Sequence, residues 1–409
     1  MITTLKARFV VPVEAPVISD GAVAFEDGLI TAVGRSRDVT IGEQVDFGDA
    51  VIVPGFVNAH THLELSLLTG RVPPTSDFAD WIRRLAEVLK AESTPTTVEA
   101  AMRNGIRDSL AAGVTAVGDI TRLPTVTRPI LASSALRGVS YGEVIAVGKI
   151  RHMLEERLDA AADTFFDTDH VGSGVSPHSP YTVEPHGLSR CAARANAAGL
   201  PLCIHLSETL DEDAFTTSRA GCLAQLLHTL GVWDEDVPIA GCRPVALAKR
   251  CGLLTPRTIL AHANYVTDED MTEIAKAQSS VAYCPRTHRA FGHAPHRFQE
   301  MLRAGVNVCV GTDSLASNPG LSLLDELRFL HRTYPHLPVE SLLAMGTIRG
   351  ARALGLDGLI GSLDRGKVAN LVVLKLSGAR GTWDSILESE DGPIAVYVDG
   401  RAYSPNSGS

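Results

Sequence analysis

Long apolar runs, basic runs and paired cysteine motifs are all missing from this 409-residue chain. No stretch approaches the roughly 18–20 apolar residues that a membrane-spanning helix needs, so no membrane role is expected. Lysine and arginine never form runs longer than two, and 37 basic against 47 acidic side chains leave a net charge of −10. A nucleic-acid polymer or an anionic membrane surface is therefore a poor partner, and a small-molecule substrate a better one. The seven cysteines (191, 203, 222, 242, 251, 284 and 309) are odd in number, contain no C-x-x-C and sit mostly inside apolar runs. They read as reduced core thiols of a cytoplasmic protein. The opening residues lack a charged segment followed by an unbroken apolar core, because Pro12, Glu14 and Pro16 interrupt it, so no leader peptide is expected. No internal repeat appears. A glycine-rich phosphate loop after the first strand is also absent, which argues against an open doubly wound sheet.

What is present is a soluble, globular composition, 45% apolar and 21% charged. From Val51 to Asp313 short β-branched runs alternate with segments of helical pattern. The predicted strands are Val51–Ala59, Val114–Ile120, Gly138–Ile145, Gly172–Pro177, Leu202–His205, Thr258–His262, Val281–Cys284 and Val306–Gly311. Predicted helices between them include Val98–Ala111, Leu188–Ala198, Asp268–Ala277 and Arg297–Ala304. Eight strands separated by helices predict an α/β fold, a (β/α)8 TIM barrel. The two ends carry short strands punctuated by Asp-Gly pairs at 20–21, 27–28 and 399–400, read as turns. Neither end is long enough to bury a core alone. The expected division is a discontinuous small β-sandwich domain of residues 1–53 and 365–409 beside a barrel of residues 54–364.

The histidines and acids cluster at predicted strand ends. His60 and His62 close the first strand and, being two apart, share a face. His205 ends the fifth strand, His262 the sixth, and Asp313 follows the eighth. In a barrel all of these converge on the C-terminal rim, where active sites of this fold lie. Three of the imidazoles, neutral, with one carboxylate suit a divalent ion, most naturally Zn²⁺, with Fe²⁺ also acceptable. Glu208, three residues beyond His205, is placed beside the ion without being an obvious ligand, which suits a proton shuttle. Its structural alternative is a helix N-terminal carboxylate after Ser207.

Val53–His62, His205-Leu206-Ser207-Glu208, Leu260-Ala261-His262 and Gly311-Thr312-Asp313-Ser314 resemble the amidohydrolase superfamily, and within it the mononuclear branch that deaminates purines, pyrimidines and nucleosides. Gly361-Ser362-Leu363 with Gly366–Val373 extends the resemblance over nearly the whole chain, although Asn370 stands where the family usually has Asp. The resemblance implies a single ion held by His60, His62, His205 and Asp313. It also implies that Glu208 carries a proton to the ring nitrogen, while His262 and Asp313 orient and deprotonate the attacking water. The binuclear branch needs a lysine at the end of the fourth strand, and Ser176–Tyr181 contains none.

His178 is similar to the histidine that adenosine-type deaminases aim at the purine, and Trp81 to an aromatic lying over the substrate, with Asp80 reaching a ribose diol. Arg286 and His288 put hydrogen-bonding and positive groups near the rim, suited to a carboxylate on the substrate tail. Asn58–Ser66, Cys284–His288 and Ser314–Asn318 look most like the aminodeoxyfutalosine deaminases of menaquinone biosynthesis, whose substrate bears a carboxyphenyl group. The alternatives are a deaminase of adenosylhomocysteine or methylthioadenosine, or a hydrolase of a cyclic amide or aryl halide. A non-catalytic scaffold is the remote alternative, and it predicts a missing site residue where none is missing. A homodimer is compatible with the resemblance.

Overall fold

At Gly55 the chain crosses from one sheet into another. The computed structural model describes residues 1–376 and 381–404. Before the crossing come β1 (Thr3–Val10), β2 (Ile18–Glu26), β3 (Leu29–Arg35), β4 (Glu43–Asp46) and β5 (Ala50–Pro54). After it come β6 (Phe56–Thr61), β7 (Val114–Thr121), β8 (Arg137–Val144), β9 (Val171–Pro177), β10 (Leu202–Leu206), β11 (Thr258–His262), β12 (Ser280–Tyr283) and β13 (Asn307–Val310). The chain then returns through β14 (Leu371–Lys375), β15 (Ala395–Val398) and β16 (Arg401–Ala402). The single strand predicted over Val51–Ala59 is thus two strands in two sheets. Both halves are buried on both faces, so the run carries no period that would betray the break. Glycine is needed at the crossing, since a Cβ at Gly55 would lie 2.2 Å from Thr115 Oγ1.

Strands β6 to β13 pair in chain order, all parallel, with helices between them, forming the (β/α)8 barrel. Small and branched side chains such as Ala59, Ala116, Val139, Ala261 and Ala282 fill its interior. A larger apolar layer lies between strands and helices. Helix Pro95–Ala111 begins with a capping box on Thr94, and helix Asp268–Ala277 with one on Thr267 and Asp270. A bridge between Thr61 and Asp313 closes the barrel. Beside it, Asp313 N–H donates to His60 O at 3.0 Å. Asn58 Nδ2 donates to Thr312 Oγ1 at 2.7 Å, and Thr312 N–H returns a bond to Asn58 Oδ1 at 3.0 Å.

The strands from the two ends form a separate sheet beside the barrel, ordered β16-β15-β14-β5-β1-β2-β3. One edge of β1 pairs with β4 over Thr3–Lys6 and with β5 at Phe9 and Val10, so the sheet forks. Leu5, Val23 and Phe25 of β1 and β2 share a core with Ile52, Leu371 and Val373 of β5 and β14. Asp27-Gly28 and Asp399-Gly400 form the expected tight turns, all four residues having positive φ. Asp20-Gly21 does not form a turn: it lies within β2, where a Cβ at Gly21 would meet Val10 Cγ2 at 2.6 Å. Strands β4 and β16, only four and two residues long, were too short to show in the pattern. All seven cysteines are free thiols. No helix among the described residues is long and apolar enough to cross a membrane.

Gly311 sits at the closure with its missing Cβ 2.7 Å from His60 O. Gly311→Ala is expected to lower stability by about 1–3 kcal/mol, the usual cost of overpacking, read by urea unfolding. Gly172→Ala, with open space around its Cβ position, is the control.

Candidate active site

His60 and His62 leave β6 on one face and meet Asp313 from across the closure. Asp313 Oδ1 lies 3.5 Å from His62 Nε2 and 3.8 Å from His60 Nε2. His205, at the end of β10, brings its Nε2 to 3.3 Å from His62 Nε2. Its Nδ1–H donates to the His178 carbonyl at 3.0 Å, which leaves the Nε2 lone pair facing the cluster. His60 is fully buried, and its Nε2 has no hydrogen-bond partner. Donor atoms of His60, His62 and Asp313 all lie within 4.8 Å of one another, as do those of His60, His205 and His262. Burial, reinforced by the neighbouring imidazoles, holds His60, His62 and His262 well below the usual histidine range, and His205 falls to about 4. All four are therefore neutral at pH 7, the form that binds metal. Burial pushes Asp313 up to about 7, opposed by Ser317, whose hydroxyl donates to Oδ2 at 3.0 Å. Neutral imidazoles with converging lone pairs, an orphaned buried nitrogen and one carboxylate fit a single divalent cation.

Glu208 faces His262, its Oε1 3.6 Å from His262 Nε2. Burial, with Asp313 and Glu212 adding like charge, raises its carboxyl well above the usual carboxylate range. The helix-terminal role that was the structural alternative for Glu208 belongs to Glu212. The Glu212 carboxylate accepts the backbone N–H groups of Ser207 at 2.9 Å and Glu208 at 3.0 Å. Asn264 Nδ2 donates to the Glu208 carbonyl at 3.0 Å, fixing the same loop. Ser207, His262, Ala263 and Asp313 all have positive φ, a costly backbone state for non-glycine residues that recurs here at three strand ends. His296, stacked 4.0 Å from Tyr283, donates its Nε2–H to the His262 carbonyl at 2.9 Å and braces one of these positions.

The substrate-binding candidates divide. His178 lies against His205, with ring centres 4.9 Å apart, and its Nδ1 is 2.6 Å from Thr182 Oγ1. Burial lowers it to about 4. With His62 and Glu143 it lines a cavity of about 380 Å³ next to the cluster. Trp81 does not line this cavity: its Nε1–H donates to Val72 O at 2.8 Å, and its ring packs on Phe78 and Phe291 as core. Asp80 is paired with Arg83 and Arg84 of its own helix, at 2.7 and 3.0 Å, so its carboxylate is already engaged. Arg286 does not offer a free charge either. Its guanidinium lies 3.8 Å from both Asp325 and Glu326, on a helix whose approach no local pattern announces. His288 is buried beside Tyr283 and lowered to about 4, so it is neutral rather than cationic. The expected basic cluster for a substrate carboxylate is therefore compensated at Arg286 and uncharged at His288.

Three acids escaped the sequence reading. Glu143 ends β8 with its Oε1 4.0 Å from His178 Nε2, and burial pushes it up to about 7. Asp119, in β7, accepts Leu63 N–H at 2.8 Å and pins the turn after His62. Glu212 is the third. The first two stand near predicted strand ends, the same signal that singled out Asp313.

The amidohydrolase family model matches residues 51–402. A 5-methylthioadenosine/S-adenosylhomocysteine deaminase of Nitratidesulfovibrio vulgaris is 32% identical over 376 residues, covering 88% of this chain and 80% of the relative. A zinc-bound adenosine deaminase structure from Xanthomonas campestris superposes with a TM-score of 0.82 at 26% identity, covering 98% of this chain and 92% of that one. The aminofutalosine deaminase of Helicobacter pylori, in complex with methylthio-coformycin, shares the fold with a TM-score of 0.86 at 21% identity, covering 98% of this chain and 100% of that one.

Metal analysis of protein prepared without chelator is expected to find one divalent ion per chain. His205→Ala should lose most of that ion and most of the activity. Two fully occupied sites, or none, would contradict the donor set.

Proposed function

The chain belongs to the amidohydrolase family of metal-dependent hydrolases, and from that premise we propose that it deaminates an adenine nucleoside modified at its 5′ position, releasing ammonia. The observation that carries this reading is the buried Glu208 carboxyl, raised well above the usual carboxylate range, facing His262 beside the donor set of His60, His62, His205 and Asp313. A divalent ion held by that set, zinc in this proposal, supplies the Lewis acidity that makes water a nucleophile at neutral pH. Asp313, with Oδ2 fixed by Ser317, and His262 orient the water for attack on the amino-bearing ring carbon. Glu208 gives its proton to the adjacent ring nitrogen as the new carbon–oxygen bond forms. The proton that Asp313 takes from water passes to the amino group, and the carbon–nitrogen bond breaks with loss of ammonia. The remaining water proton returns to Glu208 as the ring carbonyl forms, so the enzyme ends as it began. In this reading His178, which lies against His205 and lines the cavity, hydrogen-bonds the purine.

The relatives named for methylthioadenosine and adenosylhomocysteine make those nucleosides the first substrates to test. A second reading, aminodeoxyfutalosine deamination in menaquinone biosynthesis, is favoured by the apolar cavity beside His178, which suits an aryl tail better than a compact methylthio group. Ammonia release from adenosine, methylthioadenosine, adenosylhomocysteine, aminodeoxyfutalosine, guanine and cytosine separates these readings. Activity only on the free bases would remove the nucleoside assignment.

Glu208→Gln keeps size and hydrogen bonding while removing the titratable proton. Retained metal and fold are expected, with turnover reduced by at least about 10²-fold. Near wild-type turnover would take Glu208 out of the mechanism.

A further inference from the structure

Ser317, whose hydroxyl donates to Asp313 Oδ2, is itself reached from another strand end. Its Oγ lies 3.1 Å from Thr287 Oγ1, in the helix Pro285–Phe291 that follows β12. Both hydroxyls are buried. Among the described residues Thr287 Oγ1 has no other hydrogen-bond partner, so it escapes being a buried donor without a bond only by giving its proton to Ser317. Ser317 keeps its own single proton for Asp313 Oδ2 at 3.0 Å, the Ser314 carbonyl at 3.3 Å or the Ser314 hydroxyl at 3.5 Å. The nearest of these is also the only carboxylate, which makes the strongest acceptor. Burial thus gives the chain of hydroxyls a direction, from Thr287 through Ser317 to Asp313.

Glu326, fully buried in helix Leu323–Thr333, ties the two loops together one residue away from each hydroxyl. Its Oε2 accepts Arg286 N–H at 2.9 Å, and its Oε1 accepts Asn318 Nδ2 at 2.7 Å. Asn318 Nδ2 also donates to Thr312 O at 2.7 Å, so the clamp reaches the peptide that enters Asp313, whose φ is positive. With Oδ2 held in this way, Asp313 Oδ1 stays turned towards His62 and His60. Thr287 itself does not line the cavity beside His178.

We propose that Thr287 is a positioning residue for Asp313: by donating to Ser317 it commits the Ser317 proton to Oδ2, which fixes the carboxylate plane and leaves Oδ1 to the donor set. Its kinetic consequence rests on the deaminase reading and deepens it. Each bond in such a chain polarises the next, so loss of the outer hydroxyl weakens the inner bond as well. A carboxylate freed to rotate no longer presents one oxygen to the ion and the water. Turnover and ion affinity then fall together, while nucleoside binding, made elsewhere, does not.

The test is a double-mutant cycle between Thr287→Val, which removes the hydroxyl at nearly the same shape, and Ser317→Ala. Thr287→Val is expected to lower kcat on the best nucleoside substrate by roughly tenfold with KM little changed. It should weaken Zn²⁺ binding, read by competition with a chelating dye, by roughly tenfold, the lower end for groups that orient metal ligands. Thr287→Ser should restore both to within about twofold of wild type, and Ser317→Ala should cost at least as much as Thr287→Val. Adding Thr287→Val to Ser317→Ala should then change kcat and affinity by no more than about twofold, because the chain is already cut. A purely structural role for Thr287 predicts two effects that multiply. Wild-type values in Thr287→Val, or effects that multiply in either cycle, overturn the assignment. The Zn²⁺ cycle needs no turnover. If wild type releases ammonia from none of the nucleosides, the deaminase reading fails and the affinity cycle alone decides the role of Thr287.

Discussion

The donor set depends on the contact between the first and last barrel strands. The Thr61–Asp313 bridge and the bond from Asp313 N–H to His60 O place a carboxylate from just beyond β13 against the imidazoles of His60 in β6 and His62 just after it. More than 250 residues of chain separate these partners, as the 252-residue span from Thr61 Oγ1 to the Asp313 carbonyl shows. Closing so long a loop costs entropy that local contacts cannot offset, so the seam holds only because the six intervening strands are already paired. Asn58, Thr312 and Gly311 fit the seam at side-chain scale, two by hydrogen bonding and one by having no side chain.

Burial then decides the protonation of everything at the rim. Imidazoles stay neutral and carboxylic acids hold their protons longer, because each charged form loses hydration there. Among the imidazoles this leaves lone pairs available to an ion. At Glu208 it raises the carboxyl above the usual carboxylate range, the shift on which the proposed proton transfer rests. One physical effect therefore prepares two chemically opposite groups, and the left-handed backbone at Ser207, His262 and Asp313 is the strain carried to aim them. Glu212 and His296, which touch neither donor set nor cavity, hold that backbone in place by bonding its N–H and carbonyl groups.

Charge on the surrounding loops follows another rule. Asp80, Arg122 and Arg286 each find a counter-charge on a neighbouring turn or element, so they contribute to local structure more than to recognition. Among the described residues Lys90 has no counter-charge, although it lines the cavity beside His178.

The sequence alone determined the barrel, the end sheet, and the placement of His60, His62, His205, Glu208, His262 and Asp313 at strand ends. Parallel barrel strands all point their C-terminal ends to one rim, so periodicity along the chain is enough to bring those residues together. Only the tertiary structure decided which charges are free. Arg286 and Asp80 look alike in a sequence, as available ions near the rim, yet one is compensated by a helix about forty residues away and the other by its own helix. It also split the run Val51–Ala59 between two sheets, turned Trp81 into core and put Asp20-Gly21 inside a strand. These outcomes depend on what packs from elsewhere, and a pairing or a steric contact between distant segments leaves no period in the residues that make it.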